Sequence, residues 1–335
     1  MIKRPLGQSG IACSPIALGT WAIGGGEWWG ATDDAESIKA IQCALDHGIT
    51  LIDTAPAYGF GHSERVVGEA LKGRRDQAVI ATKCGLWFAD QRGTPFVPQN
   101  GRMMYSSLAP ETIRIEVENS LRNLQTDHID LLQTHLPDLG KVTPIAETME
   151  CLQALKKEGK IRAVGVSNVT PAQMDEYRAV GILDTNQPRY SMLDRAIEAD
   201  VLPYCVQHHI SILAYSPLEQ GLLTGKITME TQFAEREYRN YIAWIYPENR
   251  RKVLDMLAGW RDICHDVNCT VGQLVIAWTV AQPGITFALC GARKEKNVIE
   301  NAGAADLTLS PEILARMRRD VEALGAPIPV PAYNG

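Results

Sequence analysis

Short apolar runs alternate with helix-patterned stretches along almost the whole chain, and this alternation is what most restricts the fold. The strand-like runs fall at 16–19, 49–53, 78–82, 129–134, 161–166, 182–186, 210–214 and 285–290. Helical patterning covers 63–72, 110–124, 144–158, 171–180, 196–208, 249–266 and 270–281, with Pro110 and Glu111 opening the second of these. A further helix is capped at Thr32-Asp33-Asp34, shows an apolar face at Ile38, Ile41, Ala44 and Leu45, and stops at Gly48. Strands alternating with helices form right-handed βαβ units around a parallel sheet, and eight of them predict a closed (β/α)8 TIM barrel. A doubly wound open sheet is the competing architecture, but the connections are too regular for it. No change of composition marks a linker, so residues 1–335 are expected to form one barrel domain.

Three regions depart from the repeat. Residues 4–13 hold two short runs around Gln8-Ser9-Gly10, a hairpin expected to plug one end of the barrel. Connections 84–108 and 216–247 are too long for ordinary barrel loops, and both follow the C-terminal end of a strand. Together with 22–30 they are expected to form substrate walls or lids on the catalytic face.

Charge and composition exclude several functions. A formal charge of -6 gives no basic surface for nucleic acid, and no run of eighteen apolar residues points to a membrane. The N-terminal Met1-Ile2-Lys3-Arg4 lacks a signal-peptide core, so a cytoplasmic location is expected. The cysteines at 13, 43, 84, 151, 205, 264, 269 and 290 are scattered without a C-x-x-C spacing, and Cys84 is expected to lie nearest the chemistry. Adjacent His208 and His209 on a helix do not face one another, so no metal is assigned. Asn249-Arg250-Arg251-Lys252 and Arg316 to Arg319 read as exposed helix faces.

In a barrel of this kind the reacting groups follow the strands. The second run ends at Asp53 with Tyr58 just beyond, the third at Lys83 and the fourth at His135. Ser167-Asn168, Asn186-Gln187, Tyr215-Ser216 and Gly291-Ala292-Arg293 end or follow the fifth to eighth. Taken singly, each has an ordinary role: a capping Asp, a solvated Lys, a loop Tyr, a structural His. Joint placement at successive strand ends outweighs those readings.

The ordered set of motifs resembles the aldo-keto reductase family over nearly the full length. It comprises Gly19-Thr20-Trp21, Asp53-Thr54-Ala55-x-x-Tyr58-Gly59, Ser63-Glu64 with Gly68, Lys83, and Asp130-Leu131-x-Gln133-x-His135-x-x-Asp138. It continues through Gly165-x-Ser167-Asn168, Asn186-Gln187, Tyr215-Ser216-Pro217-Leu218, and Gly291-Ala292-Arg293 to Glu300-Asn301. The resemblance implies a nicotinamide-dependent carbonyl reductase, and the absence of a G-x-G-x-x-G turn between a strand and a helix agrees with a barrel rather than a Rossmann sheet. By matching positions it implies Asp53, Tyr58, Lys83 and His135 as the catalytic four.

Hydride arriving at a carbonyl carbon leaves charge on oxygen, which an acid must neutralise. Tyr58 is the expected acid, and Lys83 is expected to lower its pKa from about 10. Asp53 would hold the ammonium; His135 would orient the carbonyl oxygen and share a proton relay at lower pH. The resemblance also implies that Ser167, Asn168 and Gln187 hold the nicotinamide carboxamide and that Tyr215 stacks on its ring. Thr20, Trp21 and Asp53 line the same end. Ser216, Pro217, Leu218, Gln220 and Gly221 belong to a loop over the pyrophosphate, while Gly291, Arg293, Asn297 and Asn301 sit at the far end of the nucleotide.

Arg293, assisted by Lys294 or Asn297, suits a 2′-phosphate and favours NADPH, with NADH also possible. Cys290 replaces a frequent Pro and Asn297 a longer side chain, which leaves cofactor type firmer than cofactor preference. Trp21, Trp28, Trp87, Tyr58 and His135 are the expected substrate contacts, with Trp29 and Phe88 near the same mouth, and the substrate is a small carbonyl compound. Two other readings compete: a nucleotide-binding regulatory subunit resembling potassium-channel β subunits, and an aldolase-type barrel with Lys83 as a Schiff base. Oligomeric state is open.

Overall fold

The computed structural model describes residues 1–329. Its barrel strands are Ile16–Gly19 (β1), Leu51–Asp53 (β2), Val79–Cys84 (β3), Ile129–Thr134 (β4), Ile161–Ser167 (β5), Thr185–Gln187 (β6), Ser211–Tyr215 (β7) and Ile285–Gly291 (β8). All neighbours pair in parallel, and β8 closes on β1 with Gly291 opposite Gly19. The eight expected runs are the eight staves, and the expected barrel is the observed one.

Side chains alternate across each strand, so every second residue points into the barrel. Ala17, Leu51, Ala81, Leu131, Ala163, Leu213 and Phe287 form an inner apolar cluster. The N-terminal hairpin, Arg4–Pro5 paired with Ala12–Cys13, adds buried Leu6, Ile11 and Cys13 to that cluster, so it plugs the barrel as expected. Two residues further along β2, β3, β4 and β6, the same inward stripe carries Asp53, Lys83, Gln133 and, after Thr185, Gln187. The register sets Lys83 opposite Gln133 and Ser167 opposite Gln187. One period-two rule therefore builds an apolar floor with a polar layer above it.

The polar layer needs room, and β5 supplies it at Gly165. A Cβ there would come within 2.2 Å of the Thr185 hydroxyl and 2.8 Å of the Gln133 side chain. Only glycine lets Gln133 cross the barrel at this height.

The outer ring is formed by Asp34–Asp46 (α1), His62–Ala70 (α2), Pro110–Leu124 (α3), Ile145–Lys157 (α4), Pro171–Val180 (α5), Val201–Gln207 (α6), Pro247–Ala258 (α7), Arg261–Asp266 (α8), Val271–Ala281 (α9), Glu295–Gly303 (α10) and Pro311–Glu322 (α11). Asp33 caps α1 by accepting from the Glu36 amide, and Thr170 with Gln173 forms a capping box at α5.

Several expectations are corrected. The 196–208 helix is a turn at Ala196–Glu198 followed by α6, because Asp200 leaves helical backbone angles and caps Val201 at 2.6 Å. The 249–266 helix breaks at Gly259 and Trp260 into α7 and α8. Asn249 and Arg250 are buried rather than exposed: Arg250 donates to Thr228 and Thr231 carbonyls, and Asn249 exchanges hydrogen bonds with Ile328. Segment 84–108 is a three-stranded antiparallel sheet, Leu86–Trp87, Thr94–Gln99 and Arg102–Ser106, with the last strand in the middle. Cys84 follows inward Lys83, so it points outward into the helix layer, its thiol pushed well up by burial and then by Glu116. Among the described residues no helix is long and apolar enough to cross a membrane.

Candidate active site

Four barrel strands deliver one hydrogen-bonded cluster. The Lys83 ammonium, 1% exposed, donates to Asp53 Oδ1 at 2.6 Å, to the Thr54 carbonyl at 3.0 Å and to Tyr58 Oη at 3.1 Å. Its three N–H donors thus have three protein acceptors. Asp53 Oδ2 accepts from Gln187 Nε2 at 2.8 Å and from Gln133 Nε2 at 3.3 Å. Donors on both oxygens offset the cost of burying this carboxylate beside the ammonium.

Burial works to deprotonate the Lys83 ammonium, but Asp53 and Tyr58 outweigh it and hold the pKa above the usual lysine range. The outcome for Tyr58 reverses the expectation from sequence. Burial raises the phenol's pKa more than the adjacent ammonium lowers it, and Asp53 adds to the rise. Tyr58 is therefore a protonated phenol at neutral pH, with a cation positioned to receive the charge when the proton leaves.

His135 is held by its backbone amide, which donates to the Cys84 carbonyl at 2.8 Å, and its ring meets Tyr58 edge-on at 5.8 Å between centroids. Burial and then Lys83 push its pKa well below the usual histidine value. The ring is neutral near pH 7, so it suits donation of a hydrogen bond, not the acid relay expected from the sequence.

Tyr58 comes into place through a turn, its amide donating to Ala55 O at 3.1 Å. The chain at Gly24 packs directly behind it: a Cβ on Gly24 would lie 2.7 Å from the Tyr58 carbonyl carbon. Thr20 is fully buried, its hydroxyl bonded to the Asp53 carbonyl at 2.9 Å and to Ser63 at 2.8 Å, so its side chain supports the site from behind.

An aromatic group covers the mouth. Trp21 lies 6.3 Å from Tyr58, 6.0 Å from Trp28, 5.0 Å from Trp29 and 5.1 Å from Tyr238, measured between ring centroids. Tyr238 escaped the sequence reading because a tyrosine in a long loop has no local signature. Gln133 appeared in the sequence only as a motif position with no site role, although its place two residues after inward Leu131 was a usable signal. Trp87 is not drawn into this group: it is buried, its indole N–H donates to Asp90 at 2.7 Å, and Arg92 covers its ring.

A second polar chain runs from the cluster towards β7. Ser167 Oγ donates to the Gln187 carbonyl at 2.7 Å, Asn168 to Ser167 at 3.0 Å, and Tyr215 Oη to Asn168 at 3.1 Å. Beyond Tyr215 the backbone takes positive φ at Ser216, Glu219, Gln220 and Gly221. That strained turn is anchored by buried Glu219, which accepts from Arg189 and Ser191, each at 2.5 Å. Pro217 is buried and Leu218 packs on the core, while Gln220 donates to Ser216 Oγ and leaves its own Oε1 buried without a protein partner.

Gly291 ends β8 exposed, and Arg293 donates to the Trp29 and Ala31 carbonyls at 3.2 and 3.4 Å. Lys294 pairs with Glu36 at 3.4 Å; Asn297 begins α10, and Asn301 is buried one turn on. These residues follow the C-terminal ends of β7 and β8, and Gln220 Oε1 is left for a donor from outside the protein. The donor set fits a dinucleotide laid from Tyr215 to Arg293. A cavity of about 410 Å³ lined by Arg75, Asp130 and Arg162 is at the opposite end of the strands from this chemistry.

Comparison with known proteins agrees with this geometry. The model of the Aldo/keto reductase family matches residues 15–321. An Escherichia coli protein named NADH-specific methylglyoxal reductase is 44% identical over 97% of this chain and 99% of its own. The structure of a glycerol dehydrogenase from Gluconobacter oxydans superposes with a TM-score of 0.87 at 37% identity, covering 99% of both chains. A Klebsiella pneumoniae aldo-keto reductase in complex with NADPH gives 0.71 at 31% identity over 95% of each. Barrel, motif order and relatives agree: the chain is an oxidoreductase belonging to the aldo/keto reductase family.

Proposed function

We propose that the protein reduces small aldehydes or ketones to alcohols, with hydride from NADPH or NADH and the proton from Tyr58. The observation that carries this reading is the Tyr58–Lys83–Asp53 chain, closed on its far side by Gln133 and Gln187. A bound nicotinamide supplies the hydride. As negative charge grows on the substrate oxygen, Tyr58 transfers its hydroxyl proton to that oxygen, and the phenolate left behind is stabilised by Lys83. Asp53 keeps the ammonium charged and immobile, and neutral His135 donates to the same substrate oxygen.

In this reading Tyr215 is the stacking platform. Ser167, Asn168 and Gln187 meet the carboxamide, although both hydrogen-bonded contacts of the Gln187 amide nitrogen are already to Asp53 and Gln133. The 216–221 turn covers the pyrophosphate, and Arg293, Asn297 and Asn301 receive the adenosine end. Trp21, Trp28, Tyr58 and His135 enclose the substrate. One domain spans the chain, and its place of action is the cytoplasm. The relative named for methylglyoxal makes small 2-oxoaldehydes the first compounds to try, and the NADPH-bound neighbour supports testing both cofactors.

The test is a panel of small aldehydes and ketones with each nucleotide, following nicotinamide oxidation. Turnover of about 1 per second or faster supports the reading. Tight nucleotide binding with no turnover across the panel would favour the regulatory-subunit alternative.

A further inference from the structure

Cys264 and Cys269 stand apart from the other thiols. Cys13, Cys43, Cys84, Cys151, Cys205 and Cys290 are buried; Cys264 and Cys269 alone of the eight are partly exposed. These two also share one turn. Helix α8 ends in a turn with Asn268 in the left-handed conformation at φ 50°. The Asn268 amide donates to the His265 carbonyl at 3.2 Å, and the Cys269 amide to the Cys264 carbonyl at 2.9 Å. This is a Schellman motif, a geometry that brings the side chains at its two outer positions into contact. In most helices that pair is apolar; here both outer positions are cysteines, Cys264 and Cys269.

We propose that Cys264 and Cys269 are a reversible redox pair, closing an intramolecular disulfide across the turn between α8 and α9 when a small-molecule disulfide such as oxidised glutathione is present. The Cys264 thiolate attacks one glutathione sulfur and releases one glutathione thiol. Cys269 then loses its proton and attacks the Cys264 sulfur, releasing the second. Two protein thiols are oxidised, one glutathione disulfide is reduced to two thiols, and the two protons end on the released glutathione. Burial holds both thiols above their ordinary pKa, Cys269 at about 11, so closure accelerates with pH. A covalent link of this kind needs two neighbouring Cβ atoms, and the outer positions of this turn are the pair that its backbone hydrogen bonds draw together.

The position gives the bond structural reach. Thr270 follows Cys269 directly, caps α9 with Gln273, and donates to Glu300 at 3.0 Å. Glu300 also pairs with Lys226 of the 216–247 connection and precedes Asn301 on α10. Oxidation therefore marks the frame that joins that connection to α10, away from Tyr58 and Lys83.

The experiment equilibrates the full-length native protein in glutathione buffers of graded ratio, blocks free thiols with an alkylating agent, and maps peptides by mass. The expected result is a peptide containing both cysteines that escapes alkylation and has lost two hydrogens. Its fraction should rise with the oxidised share of the buffer and return to zero on reduction, while the six buried cysteines stay free. Cys264→Ser should leave Cys269 free or as a glutathione adduct and abolish the internal link, with reduced-state carbonyl turnover unchanged. Full alkylation of both residues in the most oxidising buffer, or separate glutathione adducts on each without the internal bond, would overturn the proposal.

Discussion

Replacing Lys83 with Met removes the cation from the buried cluster while keeping nearly the same side-chain length. The ammonium loses contacts to Asp53 at 2.6 Å, Thr54 at 3.0 Å and Tyr58 at 3.1 Å, and Asp53 is left 3% exposed with a bare Oδ1. Breaking a buried ion pair from one side costs about 3–5 kcal/mol. Asp53 keeps the Gln133 and Gln187 amides on Oδ2, so the loss should lie near the lower end, at about 3 kcal/mol. Most of that loss comes from the stranded carboxylate rather than from the missing bonds. Asp53→Asn in the same chain should therefore restore part of it, making the double variant more stable than Lys83→Met alone. The assay is urea unfolding of wild type, both single variants and the double variant at neutral pH, comparing midpoints at constant slope. A Lys83→Met cost below about 1 kcal/mol, or a double-variant loss equal to the sum of the two singles, would refute the claim that the pair is a coupled buried unit.

Four further outcomes follow from the same geometry. Tyr58→Phe should lower kcat for reduction by roughly 10²–10⁴ while nucleotide affinity, read by tryptophan quenching, stays unchanged. Because burial raises the Tyr58 pKa and lowers that of His135, reduction should hold steady through neutral pH and fall only above the ordinary phenol value of about 10, whereas alcohol oxidation, which needs the phenolate, should rise with pH; a kcat/KM profile in both directions checks this. Glu116, pushed up to about 8 by burial, should cost stability as pH rises from its unfolded value to about 8, since only the folded state then binds the proton; Glu116→Gln should flatten that slope in unfolding measured against pH. Arg293→Met should weaken NADP+ more than NAD+ and, by freeing the Trp29 and Ala31 carbonyls, speed hydrogen exchange in 26–31.

The barrel was legible because its signals are local and periodic. A run such as Ala78 to Ala81 is apolar at every position since both faces of its strand are covered, and Pro110 by its fixed backbone and Thr170 by its side-chain cap announce helix starts. Two of the candidate groups were legible for a related reason: Asp53 and Lys83 fall at strand ends, two residues past inward Leu51 and Ala81, where strand geometry alone puts them on a common face. The splits at Asp200 and Gly259 were not, because a capping carboxylate and a single Gly look the same inside a helix as at its end.

What the chain alone determined was thus order and facing: eight strands, their inward stripes, and a phenol, an ammonium, a carboxylate and an imidazole at the same end. Tertiary structure decided the rest. It set Gln133 across the barrel beside Asp53, through a gap that only Gly165 leaves open, and it brought Tyr238 to Trp21 from more than two hundred residues away. It also reversed the expected acidity of Tyr58. Sequence shows which charges accompany the phenol, but the sign of its shift depends on how much water is excluded around it. Desolvation is a property of the whole packed site, and here it outweighs the neighbouring cation.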